Sequence, residues 1–331
     1  MNEFARRAVA AAATALGSLV GFAEEEASTD APAPITAATI DAWSTELSNA
    51  GRWGEDDQLG TLNLITPAVR VAAAKLVTEG VSISMAHPLL TERAADNTSP
   101  FEHRMMVTPE RAGGWATDTW GLMFHGFAHS HIDALCHLAY KGKYYNGFPM
   151  SGTTAEGCKN LGVTNIGNGI FTRGVLMDIP RLKGKAWLDA GEGVMVADLE
   201  AWEQQAGFEV AAGDAVLLNT GRWVRRAKEG TWEGGYPGFH ASTVPWFKAR
   251  DVAVVGTDGG LDVYPSGVPN SGAPVHTLVL TALGMPVLDV MDLTDVAQAA
   301  AQRKRWTFLL TAAPMRVPNG TGSAINVIAT F

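Results

Sequence analysis

The sequence contains only two cysteines, Cys136 and Cys158, among 331 residues. Two cysteines without a C-x-x-C spacing exclude a disulfide framework, a zinc ribbon and a dithiol redox centre. Cys136 directly precedes a histidine. Adjacent residues rarely face each other, however, and a small cysteine among apolar neighbours is more often a core residue than a nucleophile. We therefore expect both cysteines to be free thiols.

Basic residues are also scarce. Lys and Arg total 25 against 34 Asp and Glu, the formal net charge is -9, and basic runs are no longer than fragments such as "RKR" at 303–305. A chain of this charge repels the phosphate backbone of nucleic acid. We expect no nucleic-acid partner.

Several catalytic and membrane signatures are missing. The chain has no G-x-S-x-G nucleophile motif, and "GNG" at 167–169 does not continue into a dinucleotide-binding G-x-G-x-x-G, since position 172 is Thr. Beyond the N-terminus, no stretch approaches the roughly 18 apolar residues that a membrane span requires. We expect a mature protein without a membrane segment.

The N-terminal segment has the order of features found in secretory signals. Arg6 and Arg7 precede an apolar, Ala-rich stretch up to Ala23, and an acidic, Pro-containing segment follows. This order predicts a signal peptide at 1–23 and a linker at 24–37, with a periplasmic or secreted location. The alternative is an Ala-rich helix on an extension of a cytoplasmic protein.

Short β-branched runs alternate with amphipathic helical patterns through the rest of the chain. Strands are predicted at 81–86, 119–124, 173–179, 214–221, 251–258, 285–290 and 306–314, and helices at 66–80, 197–207, 276–284 and 293–305. This alternation predicts an α/β fold with a mixed, largely buried sheet flanked by helices. No change of composition divides 38–331, so we expect a single domain there.

The segment "FHGFAHSHIDALCH" at 124–137 holds four of the eight histidines. If 127–133 is extended, His129, His131 and Asp133 project from one face, because side chains alternate along a strand. Two imidazoles and a carboxylate suit a divalent cation, zinc or, with more oxygen ligands, manganese. The alternative is a polar strand face whose histidines bind backbone groups.

Two further histidines flank this pattern. His137 lies four residues after Asp133, where an imidazole near a metal-bound water can act as general acid or base. His125 shares the face of His129 only if the strand extends backward. We assign His125 to the surroundings of the metal site rather than to its ligands.

Together these residues resemble a known family. "HSHIDALCH" is similar to the signature H-x-G-T-H-x-D-x-P-x-H of the cyclase family of metal-dependent hydrolases, which includes kynurenine formamidases, isatin hydrolase and a trans-dienelactone hydrolase. "RWGEDDQLGTLNLITP" at 52–67, the predicted strands at 173–179 and 214–221, "PVHTLVLTALGMPVLD" at 274–289 and the C-terminal "NGTGSAINVIATF" resemble further segments of the family in the same order. The resemblance implies the swivelling α/β fold of that family.

The resemblance also implies a set of ligands. It places metal ligands at His131 and Asp133, with a later histidine ligand at His276 and a carboxylate ligand near Asp289. The first signature histidine falls on Phe127, which cannot bind a metal. His129 is the residue that we expect to replace it.

The implied activity is hydrolysis of a cyclic amide, a lactone or an aryl formamide by a metal-activated water, with His137 as general acid/base. Aromatic residues such as Trp53 and Phe127 are candidates for an apolar substrate wall, although large aromatics are more often core. The resemblance adds Asn63 and Asp258 as polar pocket groups. It also implies a dimer or tetramer acting on a small-molecule substrate.

Two other functions stay open. Phe127 in a ligand position favours a metal-binding or ligand-binding protein that has lost the reaction. A lyase or cyclase that abstracts a proton without a metal is the second alternative, and its activity would persist after chelation.

Overall fold

The computed structural model describes residues 34–331, and residues 35–331 form one compact unit. The predicted signal peptide and most of the predicted linker lie outside the described residues. Thr36 caps the first helix with its side chain, as residues of its type commonly do. That helix begins at Ala37, so the last residue assigned to the linker is already helical.

One central strand shows why the fold has layers. Val175, Leu176 and Met177 are fully buried at three successive positions, although neighbouring side chains of a strand point to opposite faces. Both faces of the sheet are therefore covered, as in most α/β proteins.

The strands and helices of residues 34–331 are numbered here in chain order. The strands are β1 Ser82–Ser84, β2 Glu102–Val107, β3 Thr117–Gly121, β4 His131–Asp133, β5 Thr153–Thr154, β6 Gly157–Cys158, β7 Ile170–Asp178, β8 Gly193–Val194, β9 Ala215–Asn219, β10 Gly238–Phe239, β11 Val254–Thr257, β12 Val287–Asp289, β13 Thr307–Ala312, β14 Gly322–Ala324 and β15 Ile328–Thr330. The α-helices are α1 Ala37–Glu46, α2 Pro67–Ala74, α3 Ile179–Leu182, α4 Val196–Ala206, α5 Arg222–Glu229, α6 Val244–Ala249, α7 Pro274–Leu278 and α8 Thr294–Arg303.

Nine of these strands form a single mixed sheet in the order β1-β15-β13-β7-β9-β11-β12-β4-β14. Strands β7, β9, β11 and β12 are parallel to their neighbours among these four. The strands on either side of this parallel group pair antiparallel. The fold is thus the predicted α/β domain with a mixed sheet flanked by helices.

Helices pack on this sheet through apolar side chains. Helix α4 contacts β7, where the indole of Trp202 donates a hydrogen bond of 2.8 Å to the carbonyl of Leu176. Helix α4 ends at Gly207, whose φ of 75° is the left-handed conformation common just after a helix. Helices α2, α3 and α8 also contact the sheet.

The expectation of free thiols is wrong. Cys136, three residues past the end of β4, forms a disulfide with Cys158 of β6, and their Cα atoms are 6.4 Å apart. No local pattern indicates this pairing, because the two residues are 22 positions apart and meet only through the folding of the chain between them.

No helix within residues 34–331 is both long and apolar enough to cross a membrane.

Candidate metal centre

Strand β4 carries two of the predicted ligands and borders a third. His131 and Asp133 lie two positions apart, and β12 pairs with β4 so that Asp289 is opposite His131. Directly opposed residues have neighbouring side chains on one face of a sheet. Ligand atoms of His131, Asp133 and Asp289 all lie within 4.8 Å of one another, and the three residues are buried.

His276, on the first turn of α7, completes this group. Its Nε2 lies 3.1 Å from Asp289 Oδ2 and 3.8 Å from Asp133 Oδ2. Its Nδ1 lies 2.6 Å from Asp262 Oδ2. Burial disfavours a charged imidazole, but Asp289 and Asp262 outweigh burial and hold the pKa of His276 well above its ordinary value. The carboxylates of Asp289 and Asp262 therefore favour a positive charge at His276.

Several polar atoms at the centre are buried without a hydrogen-bond partner among the described residues. They are both carboxylate oxygens of Asp133, Oδ1 of Asp289 and Nδ1 of His125. His125 Nδ1 lies 2.9 Å from Asp133 Oδ1, without the geometry of a hydrogen bond. Buried charges without partners are costly, so these atoms fit a cation that they bind together.

The protonation of His131 also fits a metal ligand. Its Nδ1 lies 2.8 Å from the carbonyl oxygen of His129. A carbonyl can only accept, so Nδ1 carries the hydrogen and Nε2 keeps a free lone pair. Nε2 is the atom that faces Asp133, at 3.5 Å. A partner that fixes the tautomer in this way is typical of histidines that bind metals.

The charge of Asp133 is stabilised by its surroundings. Burial alone would raise its pKa, but the imidazoles of His131, His125, His137 and His276 together hold the pKa of this carboxyl well below its usual range. Asp133 is therefore ionised over the whole physiological pH range, as a metal ligand must be.

His137 and His125 form a second group around Asp133. Nε2 of His137 lies 3.9 Å from Asp133 Oδ2, and its ring stacks on His125 at 4.0 Å between centroids. Burial lowers the pKa of His137, with Asp133 opposing and the neighbouring histidines adding to the shift. The ring is thus neutral near pH 7. His125 is held from its other side by Thr321, whose Oγ1 lies 2.9 Å from Nε2.

A cavity of about 180 Å³ opens onto this centre. Phe127 and Tyr236 line it from one side, with ring centroids 4.8 Å apart. His137 also lines the cavity and is 30% exposed, whereas Asp133 is 1% exposed. A substrate in the cavity therefore meets an accessible imidazole, two aromatic rings and the buried carboxylates.

The structure brings together most of the predicted residues. His131, Asp133, His276, Asp289, His137 and Phe127 all line the cavity. Phe127, the candidate for a substrate wall, has its ring against that of Tyr236.

His129 is the ligand prediction that the structure does not support. Residues 125–129 form a bend and strand β4 begins only at His131, so the alternation of faces does not reach back to His129. Its ring is buried without a hydrogen-bond partner among the described residues, and it does not line the cavity. His125, which we had assigned to the surroundings, lies next to Asp133 instead.

Trp53, Asn63 and Asp258 also lie away from the cavity lining. The indole of Trp53 packs under the guanidinium of Arg52 at 4.8 Å, and the Asn63 amide donates to Asp57 at 2.8 Å. The Asp258 carboxylate accepts hydrogen bonds from backbone amides where α5 begins, so it caps that helix.

Asp262 and Tyr236 are site residues that the sequence analysis missed. Asp262 accepts hydrogen bonds from the backbone amides of Val275 and His276 and faces the imidazole of His276. A carboxylate 14 positions before a candidate histidine ligand is a weak signal, because any spacing can bring the two together in a fold.

Comparisons with known proteins identify the family of the chain. The family model described as "Putative cyclase" matches residues 24–261. A crystal structure described as that of a novel cyclase is 30% identical and has a TM-score of 0.78, covering 86% of this chain and 100% of that one.

Other solved structures share the fold at lower identity. Isatin hydrolase A from Ralstonia solanacearum is 21% identical with a TM-score of 0.56, covering 80% of this chain and 95% of that one. Isatin hydrolase A from Labrenzia aggregata, bound to benzyl benzoate, is 19% identical with a TM-score of 0.53, covering 79% and 96%. No curated protein sequence matches the chain. Because the family model spans most of the chain and the first structure covers it at 30% identity, the chain belongs to the cyclase family.

Proposed function

We propose that the protein is a metal-dependent hydrolase that opens a cyclic amide or a lactone, or cleaves an aryl formamide. The observation that carries this proposal is the set of buried, unpartnered oxygens of Asp133 and Asp289, which lie close to His131 and to Nε2 of His276. Such a group of donors accepts a divalent cation, and it opens onto the cavity of about 180 Å³.

The donors favour zinc, with manganese as the second choice. Two imidazoles and two carboxylates suit zinc, and the oxygen share also suits manganese. A bound divalent ion polarises a substrate carbonyl and brings the pKa of a bound water toward neutrality. His131, Asp133, His276 and Asp289 are the residues that would hold it.

His137 is the proposed general acid/base. Its imidazole is neutral near pH 7 because burial lowers its pKa, so its free ring nitrogen accepts a proton from the attacking water. The protonated ring then lies beside the Asp133 carboxylate, 3.9 Å away, which stabilises the positive charge. Its exposure to the cavity lets it deliver the same proton to the leaving nitrogen or oxygen.

The shape of the cavity favours a small planar substrate. Phe127 and Tyr236 present aromatic surface on one side, and aromatic side chains pack well on flat rings. The isatin hydrolases that share this fold are named for a substrate of this kind. Isatin and related lactams are therefore the first compounds to test.

The reading as a binding protein without activity rested on Phe127 in a ligand position. The four residues that would hold the metal do not include position 127, and the imidazole of His125 also lies beside Asp133, with Nδ1 2.9 Å from Oδ1. This observation favours an intact hydrolytic centre over one that has lost its reaction.

The test begins with metal analysis of protein purified without chelator. Hydrolysis of isatin, simple lactones and aryl formamides is then measured before stripping, after stripping, and after adding back zinc or manganese. We expect turnover of at least one class that disappears with the metal and returns with it. Bound metal without any turnover would favour the binding reading, and turnover that survives chelation would favour a metal-independent lyase or cyclase.

We also propose that the chain is exported. The disulfide between Cys136 and Cys158 is of a kind that persists in oxidising compartments and is rare in the cytosol. N-terminal sequencing of the protein from periplasm or medium should show cleavage near the end of the predicted signal peptide. A protein that keeps its first residues in the cytosol would contradict this proposal.

A further inference from the structure

A second pocket adjoins the cavity of the candidate metal centre. It has a volume of about 330 Å³, and Phe127 and Tyr236 line both spaces. Beyond these two rings the second pocket is lined by Arg222, Trp232, two acidic residues, Asp96 and Glu233, and the small residues Ala95 and Gly234. A flat molecule lying along the two shared rings would thus have one end at the metal centre and the other in this pocket.

Arg222 is the unusual residue of this pocket. It is only 5% exposed, yet its guanidinium is poorly satisfied. Nη2 donates to the carbonyl oxygen of Phe127, whereas Nε is buried without a partner among the described residues. A guanidinium carries five N–H donors, and a buried polar group without partners is costly. The guanidinium therefore has donor capacity that the described residues do not use.

Asp96 and Asp258, which lie near Arg222, are engaged elsewhere, and Glu233, the other acidic residue of the pocket lining, is exposed to solvent. Asp96 accepts two hydrogen bonds from Arg226, at 2.8 and 3.2 Å, and lies 3.9 Å from Nη2 of Arg222. Asp258 accepts the backbone amides of α5, including that of Arg222 at 3.0 Å. The buried positive charge of Arg222 is thus only partly compensated.

We propose that the second pocket binds a carboxylate attached to the planar ring of the substrate. This inference rests on the proposed function, which puts the bond to be hydrolysed at the other end of the substrate, next to the metal centre. A guanidinium matches a carboxylate in plane and charge and binds it with strong, charge-assisted hydrogen bonds. Trp232 supplies an apolar wall beside the charge, and the rings of Phe127 and Tyr236 hold the substrate ring between the two ends.

The arrangement predicts a preference among substrates. Ring compounds that carry a carboxylate away from the scissile bond bind more tightly than the same rings without it. One charge-assisted hydrogen bond corresponds to a preference of about tenfold to a hundredfold.

The experiment compares benzoate with benzamide, two flat probes of similar size that differ in charge. Isothermal titration calorimetry is performed on the full chain, loaded with zinc and again after chelation. The variant Arg222→Gln removes the guanidinium, and Arg181→Gln, which removes an arginine paired with Asp178 and lining neither pocket, is the control. Circular dichroism verifies that each variant is folded.

We expect the wild-type chain to prefer benzoate by about tenfold or more, with and without zinc. Arg222→Gln should lose this preference and Arg181→Gln should keep it. A preference that survives Arg222→Gln would overturn the inference. So would a preference that vanishes on chelation, because the carboxylate would then bind the metal.

The metal-free wild-type comparison needs no variant. It decides the question even if Arg222→Gln does not fold, since equal binding of both probes would reject the pocket as a carboxylate site. The measurement also does not depend on turnover. If no substrate is hydrolysed while the benzoate preference is present, the proposed hydrolase function fails and the carboxylate site stands.

Discussion

The variant Asp262→Asn tests how the metal centre is held together. The carboxylate of Asp262 faces Nδ1 of His276 at 2.6 Å and also accepts the backbone amides of Val275 and His276. An asparagine keeps one acceptor oxygen and replaces the other with an amide donor. If the donor faces His276, it forces the hydrogen of the imidazole onto Nε2, the atom that points toward Asp289 and Asp133.

The structure supports an estimate of the effect. Replacing the partner that orients a metal-binding histidine typically lowers metal affinity or activity about 10-fold to 100-fold. That range corresponds to about 1.4 to 2.7 kcal/mol of binding free energy. If the asparagine rotates so that its oxygen faces the imidazole, a backbone amide of α7 loses its acceptor instead, and the cost appears as a lower free energy of unfolding, by about 1 to 3 kcal/mol.

The assay measures zinc affinity by competition with a chromogenic chelator, alongside urea unfolding of the metal-free protein. The control is Asp178→Asn, since Asp178 is equally buried but contacts Asn219 and Arg181 at the end of β7. The control should lower stability and leave zinc affinity unchanged. Asp262→Asn with the zinc affinity and the stability of wild type would refute the assigned role of Asp262.

Other substitutions probe separate parts of the molecule. His137→Ala should lower kcat about 10²-fold to 10⁴-fold while metal content, measured by mass spectrometry, stays at the wild-type level; unchanged turnover would reject its role. Arg173→Gln removes two hydrogen bonds, of 2.9 and 2.6 Å, from the buried Asp214 and should cost about 3 kcal/mol at neutral pH. Burial already raises the pKa of Asp214 against the effect of Arg173, and the substitution raises this pKa further. In urea unfolding, the loss of stability should therefore grow as pH rises above the unfolded-state pKa and shrink toward zero at acidic pH. A loss of stability that is independent of pH would contradict this. Cys158→Ser opens a loop of 22 residues and should lower the free energy of unfolding by about 3 kcal/mol, an effect that dithiothreitol should reproduce in the wild type but not in the variant.

Much of the sheet was predictable because its strands have distinct apolar runs. The predicted strand at 173–179 overlaps all of β7 from Arg173 onward, and those at 214–221, 251–258 and 306–314 contain β9, β11 and β13. Boundaries were less accurate for helices. Helix α2 ends at Ala74 rather than near Gly80. The residues after Ala74 form turns and bends that lead to β1.

Within the site, alternation along a strand was informative only where a strand exists. It correctly related His131 to Asp133, and the resemblance to the family added His276 and Asp289, which the structure brings to the same cavity. Alternation failed for His129, because a bend precedes β4.

Residues whose position depends on distant packing were beyond sequence reasoning. The segment that holds Trp53 and Asn63 contacts the end of the helical turn Val279–Leu283, which follows α7. There the amide of Thr61 donates to the carbonyl of Gly284 at 2.8 Å. That contact, which fixes the segment away from the cavity, joins residues more than two hundred positions apart. No local sequence pattern predicts this contact.

The pairing of β4 with β12 has a consequence for how the protein is made. His131 and Asp289 become neighbours only when β12 lies against β4, although more than 150 residues separate them in the chain. An unfolded or half-synthesised chain therefore offers no complete set of donors. A cation that binds only the finished structure pulls the folding equilibrium toward it, by about 2.7 kcal/mol when its free concentration is a hundred times its dissociation constant. Metal supply would then govern how much of the newly made protein survives, as well as how fast it works.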